Sequence, residues 1–166
     1  QLVRADLILI SGERHDDSFD LITRTLSSLG EITTVDLAIE SSGRHNYGTI
    51  GPDKTPVVTL PGDPISAYIS FELFVRPMLR TMLGTSMIHR PSVKAKLEKA
   101  ISSKGGSRAY IRAVLSEDGK SVAALPSQDE AATLSDANAL IAVGENDEEL
   151  SAGSTVTVVV LERRYI

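Results

Sequence analysis

The stretch TLPGDPISAYISFELFVRP, from Thr59 to Pro77, constrains this chain most. A short apolar run enters Pro-Gly-Asp-Pro, and a long run with helical spacing leaves it. Asp63 suits a helix N-cap, because its carboxylate accepts the orphan N–H groups of the first turn. Pro64 at the first helical position sacrifices nothing, since its N–H would be unpaired there. Gly62 allows a sharp strand-to-helix turn. Such a turn at the carboxyl end of a strand is where open α/β sheets hold ligands, and helix-start N–H groups near Ile65, Ser66 and Ala67 favour an anion. A plain capped turn accounts for the same residues, and the Asp63 carboxylate uses donors that a phosphate would take.

The surrounding pattern predicts strands and helices in alternation. Ala5–Ile10 is a continuous apolar run suited to a strand covered on both faces. Phe19, Ile22, Leu26 and Leu29 recur at helical spacing over 18–29, with Gly30 as the stop. Val35, Leu37 and Ile39 alternate, so 31–39 reads as a strand. Residues 40–55 read as loop, 56–60 as a strand, and the following helix as running to about Leu83 with a kink at Pro77, where the bond to the Leu73 carbonyl is lost. An α/β unit over 1–88 follows. From Pro91 the period changes to short alternating strands at 93–97, 109–115, 121–125, 139–143 and 155–161, separated by Gly-containing turns. Residues 91–166 therefore read as a small all-β domain, barrel-like.

Composition excludes several functions. The chain has no cysteine, so disulfides, thiolate metal sites and a thiol nucleophile are absent. Its net charge of −5 disfavours nucleic-acid binding through a basic surface. No apolar run reaches the roughly 20 residues of a membrane helix, and a cytoplasmic protein is the expectation. Gln1 at the start suggests a fragment of a longer chain.

LPGDPISAYISFELFVRPMLR closely resembles the LPGNPVSA…FELFVRPALR segment of the molybdopterin molybdenumtransferases, the MoeA and gephyrin E-domain family. ADLILISG with Asp20 resembles that family's strand and SGGxSxGxxD loop; LSDANALIAV and LSAGSTVTVVVLE resemble its small C-terminal β domain. The resemblance implies a three-layer α/β/α molybdopterin-binding (Mog-like) domain, N-terminally incomplete here, followed by the β domain. It implies insertion of molybdate into adenylylated molybdopterin with Mg²⁺, a pterin ligand, and a homodimer. It assigns catalysis and metal binding to Asp20, and molybdopterin binding to Ser11, Gly12, Pro61, Gly62, Asp63, Pro64 and Ser66. The absent first strands imply that the edge near Ala5–Ile10 packs against another chain or segment.

The chain departs from the pattern where anions would bind. SGGVSVG becomes SGERHDD, with Glu13 and Asp17 in place of glycines. KPGKP becomes Glu40-Ser41-Ser42-Gly43-Arg44, and Asp63 replaces an Asn. Arg44, His45 or Lys54 are the candidates to compensate. A non-catalytic binding or assembly module on the same fold is the competing reading. His15 and His45, on loops expected at one sheet edge, lack a third ligand for a metal. Arg108 and Arg112, four apart on one strand and so on one face, would either extend an anion cleft between the two domains or be solvated, and the solvated reading is preferred.

Overall fold

The computed structural model describes residues 4–12, 16–40, 42–126 and 135–161, without the side chains of Asp16 and Asp17. The expectations for Glu13, His15 and the Asp17 side chain fall outside these residues. Contacts divide the chain into two compact units, Gln1–Leu37 with Ser41–Val75, and Ala38–Glu40 with Arg76–Ile166.

In the first unit, β1 (Ile8–Ser11), β2 (Gly30–Asp36), β3 (Arg44–Ile50) and β4 (Thr55–Leu60) form a sheet in the order β1-β4-β3-β2. Only β1 and β4 run parallel; β2–β3 and β3–β4 are antiparallel. The strand–helix alternation suggested a more parallel sheet, and the reason for the difference is β3. RHNYGTI carries no apolar alternation, and its stretch reads as loop by sequence. It is a strand because its polar buried groups are all bonded. Asn46 accepts from the Thr34 hydroxyl and donates to Thr23, while His45 bonds Ser70. A buried polar side chain is tolerated on a strand once it is satisfied in this way.

Neighbouring β3 residues meet different helices. Asn46 faces Thr23 of α1 (Asp16–Leu29), and His45 faces Ser70 of α2 (Pro64–Ser70) and the Phe74 ring. Leu26, Ile50 and Val57 form the buried apolar centre of this unit, with Ile8, Ile10, Ile22 and Ile32 against it. Gly30 does not take the left-handed C-cap conformation that its place after a helix suggests. It opens β2 directly, and a Cβ there would lie 2.1 Å from the Thr49 carbonyl oxygen. Gly48 is as tightly placed, 1.9 Å from the Glu31 oxygen.

The helical run after β4 is α2, a π-helical segment Phe71–Val75 and α3 (Arg76–Met82). Pro77 lacks the N–H that would bond Leu73, and the chain meets it with a widened π turn instead of a break. Gly84, at φ 68°, then ends the run as expected. The contact division falls inside this run, ahead of the 88–91 boundary suggested by the change of period. In the second unit Arg76 donates to the Ile88 carbonyl and Arg80 to that of Met87, tying α3 to the segment leading into the β domain.

That β domain is a closed barrel in the order β11-β5-β8-β7-β9, from β5 (Ser92–Leu97), β7 (Ala109–Leu115), β8 (Ser121–Ala124), β9 (Ala139–Val143) and β11 (Thr155–Val160). Two-residue strands β6 (Ile101–Ser102) and β10 (Glu149–Leu150) pair beside it. Val156, Val158 and Val160 alternate inward, and Ala95, Ala109, Ala113 and Ala139 keep the interior narrow. The larger Leu97, Leu115 and Ile141 share that interior with them, so small and large side chains together fill the barrel. The Asn138 side chain accepts from the Leu115 N–H and donates to its carbonyl, taking the place of a strand backbone. Arg112 is buried in this unit, contrary to the solvated reading, while Arg108 is exposed.

Candidate functional site

Parallel pairing sets the first relation. Ser11 stands beside Leu60, and the Gly12 N–H donates to the Leu60 carbonyl at 3.3 Å. The Ser11-Gly12 loop and the Pro61–Ser66 turn therefore leave the same sheet edge from neighbouring strands. Antiparallel pairing of β3 adds Arg44 to that edge. Tyr47 opposes Val58, so the same offset sets Arg44 level with Pro61, and Asp36 of β2 opposes Arg44 directly. Asp20 lies in the second turn of α1, exposed, and its carboxylate meets the Arg44 guanidinium at 3.6 Å. That guanidinium also stacks over Phe19, 4.7 Å from the ring centre.

The Pro-Gly-Asp-Pro turn is a capped helix start. Asp63 has extended backbone angles, and its Oδ2 accepts the Ser66 N–H at 2.9 Å and the Ser66 hydroxyl at 2.6 Å. Ala67 donates to the Asp63 carbonyl. Ser66 is buried, and both its donors are committed to Asp63. Gly62 makes the turn without a positive φ. The anion-facing role expected of Ser66 therefore competes with the cap.

His45 is not a loop residue. It sits in β3 with 4% of its surface exposed. The Gly43 carbonyl can only accept, which places the proton on Nδ1, 3.3 Å away; Nε2 then accepts from the Ser70 hydroxyl at 3.1 Å, and Ser42 donates to Ser70 at 3.0 Å. Burial lowers the His45 pKa, and the Gly43 carbonyl partly offsets this. Ser70 and His45 have the spacing of a nucleophile and base, but Ser70 is fully buried and no substrate reaches it. The trio is a buried polar knot joining β3 to α2.

Glu40 belongs to the second unit. Its N–H donates to the Arg108 carbonyl at 2.9 Å, Arg108 donates to Ala38, and Ser103 donates to the Glu40 carboxylate at 3.5 Å. The strand expected over 31–39 accordingly stops at Asp36, and Ile39 bridges to Arg108 instead. Lys54, at φ 52°, lies in the turn between β3 and β4, at the opposite end of the sheet from Pro61. No group of three His, Cys, Asp or Glu side chains converges as a metal site among the described residues. A Mg²⁺ held by one carboxylate with phosphate and water oxygens needs no such group.

The sequence is similar to known proteins along nearly its whole length. Residues 94–161, which hold the barrel, match the model of the MoeA C-terminal region (domain IV). Molybdopterin molybdenumtransferase 1 of Mycobacterium tuberculosis is 34% identical over 97% of this chain and 40% of its own length; molybdopterin molybdenumtransferase 2 of the same organism is 32% identical over 94% and 40%. The chain thus spans about 40% of the length of these curated relatives. Among solved structures, the molybdopterin biosynthesis MoeA protein of Pyrococcus horikoshii superposes with a TM-score of 0.79 at 26% identity, over 97% of this chain and 38% of that one. A molybdenum cofactor biosynthesis protein of Pyrococcus furiosus shares the fold at 22% identity, TM-score 0.71, over 96% and 49%. With a relative 34% identical over almost every residue and the barrel matched by the family's own model, the chain belongs to the MoeA family of molybdopterin molybdenumtransferases.

Proposed function

We propose that this chain carries part of the site at which molybdate is inserted into adenylylated molybdopterin, in molybdenum cofactor biosynthesis. One observation carries the reading: the parallel β1–β4 pair brings Ser11-Gly12 and Pro61-Gly62-Asp63-Pro64 to one sheet edge, with Asp20 and Arg44 joined across it. Ligands of open α/β sheets sit at such an edge. In this reading Ser11, Gly12 and the Pro61–Ser66 turn contact the pterin phosphate, and Asp20 is the catalytic and Mg²⁺-binding carboxylate. When bound, the ion supplies charge neutralisation on phosphate oxygens. The first unit is proposed to be part of a three-layer α/β/α Mog-like domain over 1–88, the barrel a separate domain over 91–166, and the working protein a cytoplasmic homodimer. Among the described residues no helix is long and apolar enough to cross a membrane.

Titration calorimetry with adenylylated molybdopterin and Mg²⁺ tests the proposal. Saturable binding that weakens at least tenfold in Asp20→Asn is expected. Binding left unaltered by Asp20→Asn and by Ser11→Ala would place the ligand elsewhere.

A further inference from the structure

We infer that Arg44 is a latch on Asp20: it holds the carboxylate while the site is empty and releases it to a divalent cation when a polyphosphate anion draws the guanidinium away. This rests on the proposed ligand edge.

Placement supports it first. Among the described residues of the first unit the other cations are elsewhere. Arg4 precedes β1 at its far end, Arg24 lies one turn further along α1 than Asp20, and Lys54 is in the turn at the opposite end of the sheet. Arg44 is the described cation of this unit level with Pro61, at the edge shared by Ser11 and the capped turn. That edge otherwise holds carboxylates: Asp20, Asp36 opposite Arg44, and Asp63. An anion arriving there has Arg44 as its one described cationic partner in this unit, and the planar fork of a guanidinium suits phosphate oxygens.

Geometry supports it second. The pair is long, 3.6 Å, and both side chains are partly exposed, 38% and 50%. An ion pair of that kind is weak and readily exchanged. Phe19 holds the guanidinium by its face, so the arginine can leave Asp20 without losing its anchor. A divalent cation and Arg44 are like charges competing for one Asp20 carboxylate, so each weakens the hold of the other. An anion that takes up the guanidinium relieves that repulsion, and reciprocity then requires anion and cation to favour one another.

Mn²⁺, followed by electron paramagnetic resonance, serves as the cation probe and inorganic pyrophosphate as the anion, with the 166-residue chain and with Arg44→Gln, Arg44→Lys and Asp20→Asn. The latch predicts that Arg44→Gln binds Mn²⁺ alone about two- to fivefold more tightly than the unaltered chain, the range an exposed ion pair is worth. It also predicts that pyrophosphate sharpens Mn²⁺ binding in the unaltered chain, less in Arg44→Lys, and not in Arg44→Gln, while Asp20→Asn loses the Mn²⁺ site. Circular dichroism confirms that each variant is folded, and Arg44→Lys, which keeps a cation but not the planar fork, carries the comparison if Arg44→Gln is not. Equal Mn²⁺ affinity in all Arg44 forms, with the pyrophosphate effect intact, overturns the latch and leaves the ligand edge standing. Failure of the unaltered chain to bind either probe overturns both.

Discussion

Replacing Asp63 separates what its shape does from what its charge does. The carboxylate holds two donors of Ser66, the N–H at 2.9 Å and the hydroxyl at 2.6 Å, and Ser66 is 2% exposed. Asp63→Ala removes a helix cap worth about 1 kcal/mol and leaves a buried hydroxyl without its acceptor, a further cost of about 1 kcal/mol or more. The expected loss is therefore about 2 kcal/mol, localised to the first unit. Asp63→Asn keeps an oxygen in place and caps as well as Asp does, so its cost stays under about 0.5 kcal/mol. The charge acts on the ligand instead. One carboxylate at ~8 Å from a phosphate, with an effective dielectric near ~40, opposes binding by roughly 1 kcal/mol, so Asp63→Asn should bind pyrophosphate about fivefold more tightly. Urea unfolding followed by circular dichroism at a helix-sensitive wavelength reads the stability, and calorimetry reads the affinity. If Asp63→Ala is as stable as Asp63→Asn, the cap does not hold the turn. If Asp63→Asn binds pyrophosphate no better than the unaltered chain, the turn does not face the anion.

Gly48→Ala is expected to cost about 3 kcal/mol in urea unfolding, because its Cβ would press on the backbone of β2 1.9 Å away; a stable Gly48→Ala would mean that the β2–β3 pairing opens cheaply. His45 has a lowered folded pKa, so the unfolded chain takes up its proton first. Stability from this residue is fully present above the unfolded value near ~6.5 and declines as pH falls through and below it; the unfolding midpoint of the first unit should drop between pH 7.5 and 5, and less so in His45→Gln. β1 is an edge strand with Leu9 40% exposed, so sedimentation of the 166-residue chain should show association that Leu9→Lys reduces, and a strict monomer at high concentration would count against it.

The barrel strands were legible within a residue or two, because Val156, Val158 and Val160 and their partners alternate in a period that nothing else imitates. The capped turn at Asp63 was legible for a similar reason, since Asp-Pro before a helical run has a local meaning. β3 was not legible. His45 and Asn46 are polar, and only side chains from distant elements, Ser70, Thr23 and Thr34, make them acceptable inside. The bend of the chain after Asp36 was hidden too. Ala38–Glu40 pair with Arg108 through backbone groups, which leave no trace in side-chain periodicity. At the proposed ligand edge, the family resemblance supplied Ser11, Gly12, Asp20 and the Pro61–Ser66 turn, and the sequence named Arg44 without its partner. The Asp20–Arg44 pair needed the strand register, which a pattern of apolar residues does not encode at polar ends.

The assignment of Ala38–Glu40 to the barrel's unit changes how the chain can be divided. A gene fragment starting near Pro91 would encode every strand of the closed barrel, yet omit the three residues that pair with Arg108. The Arg108 N–H and carbonyl would then face water or seek another extended peptide, as any unpaired strand edge does. The barrel piece is thus best prepared with a short covalent graft of Ala38–Glu40.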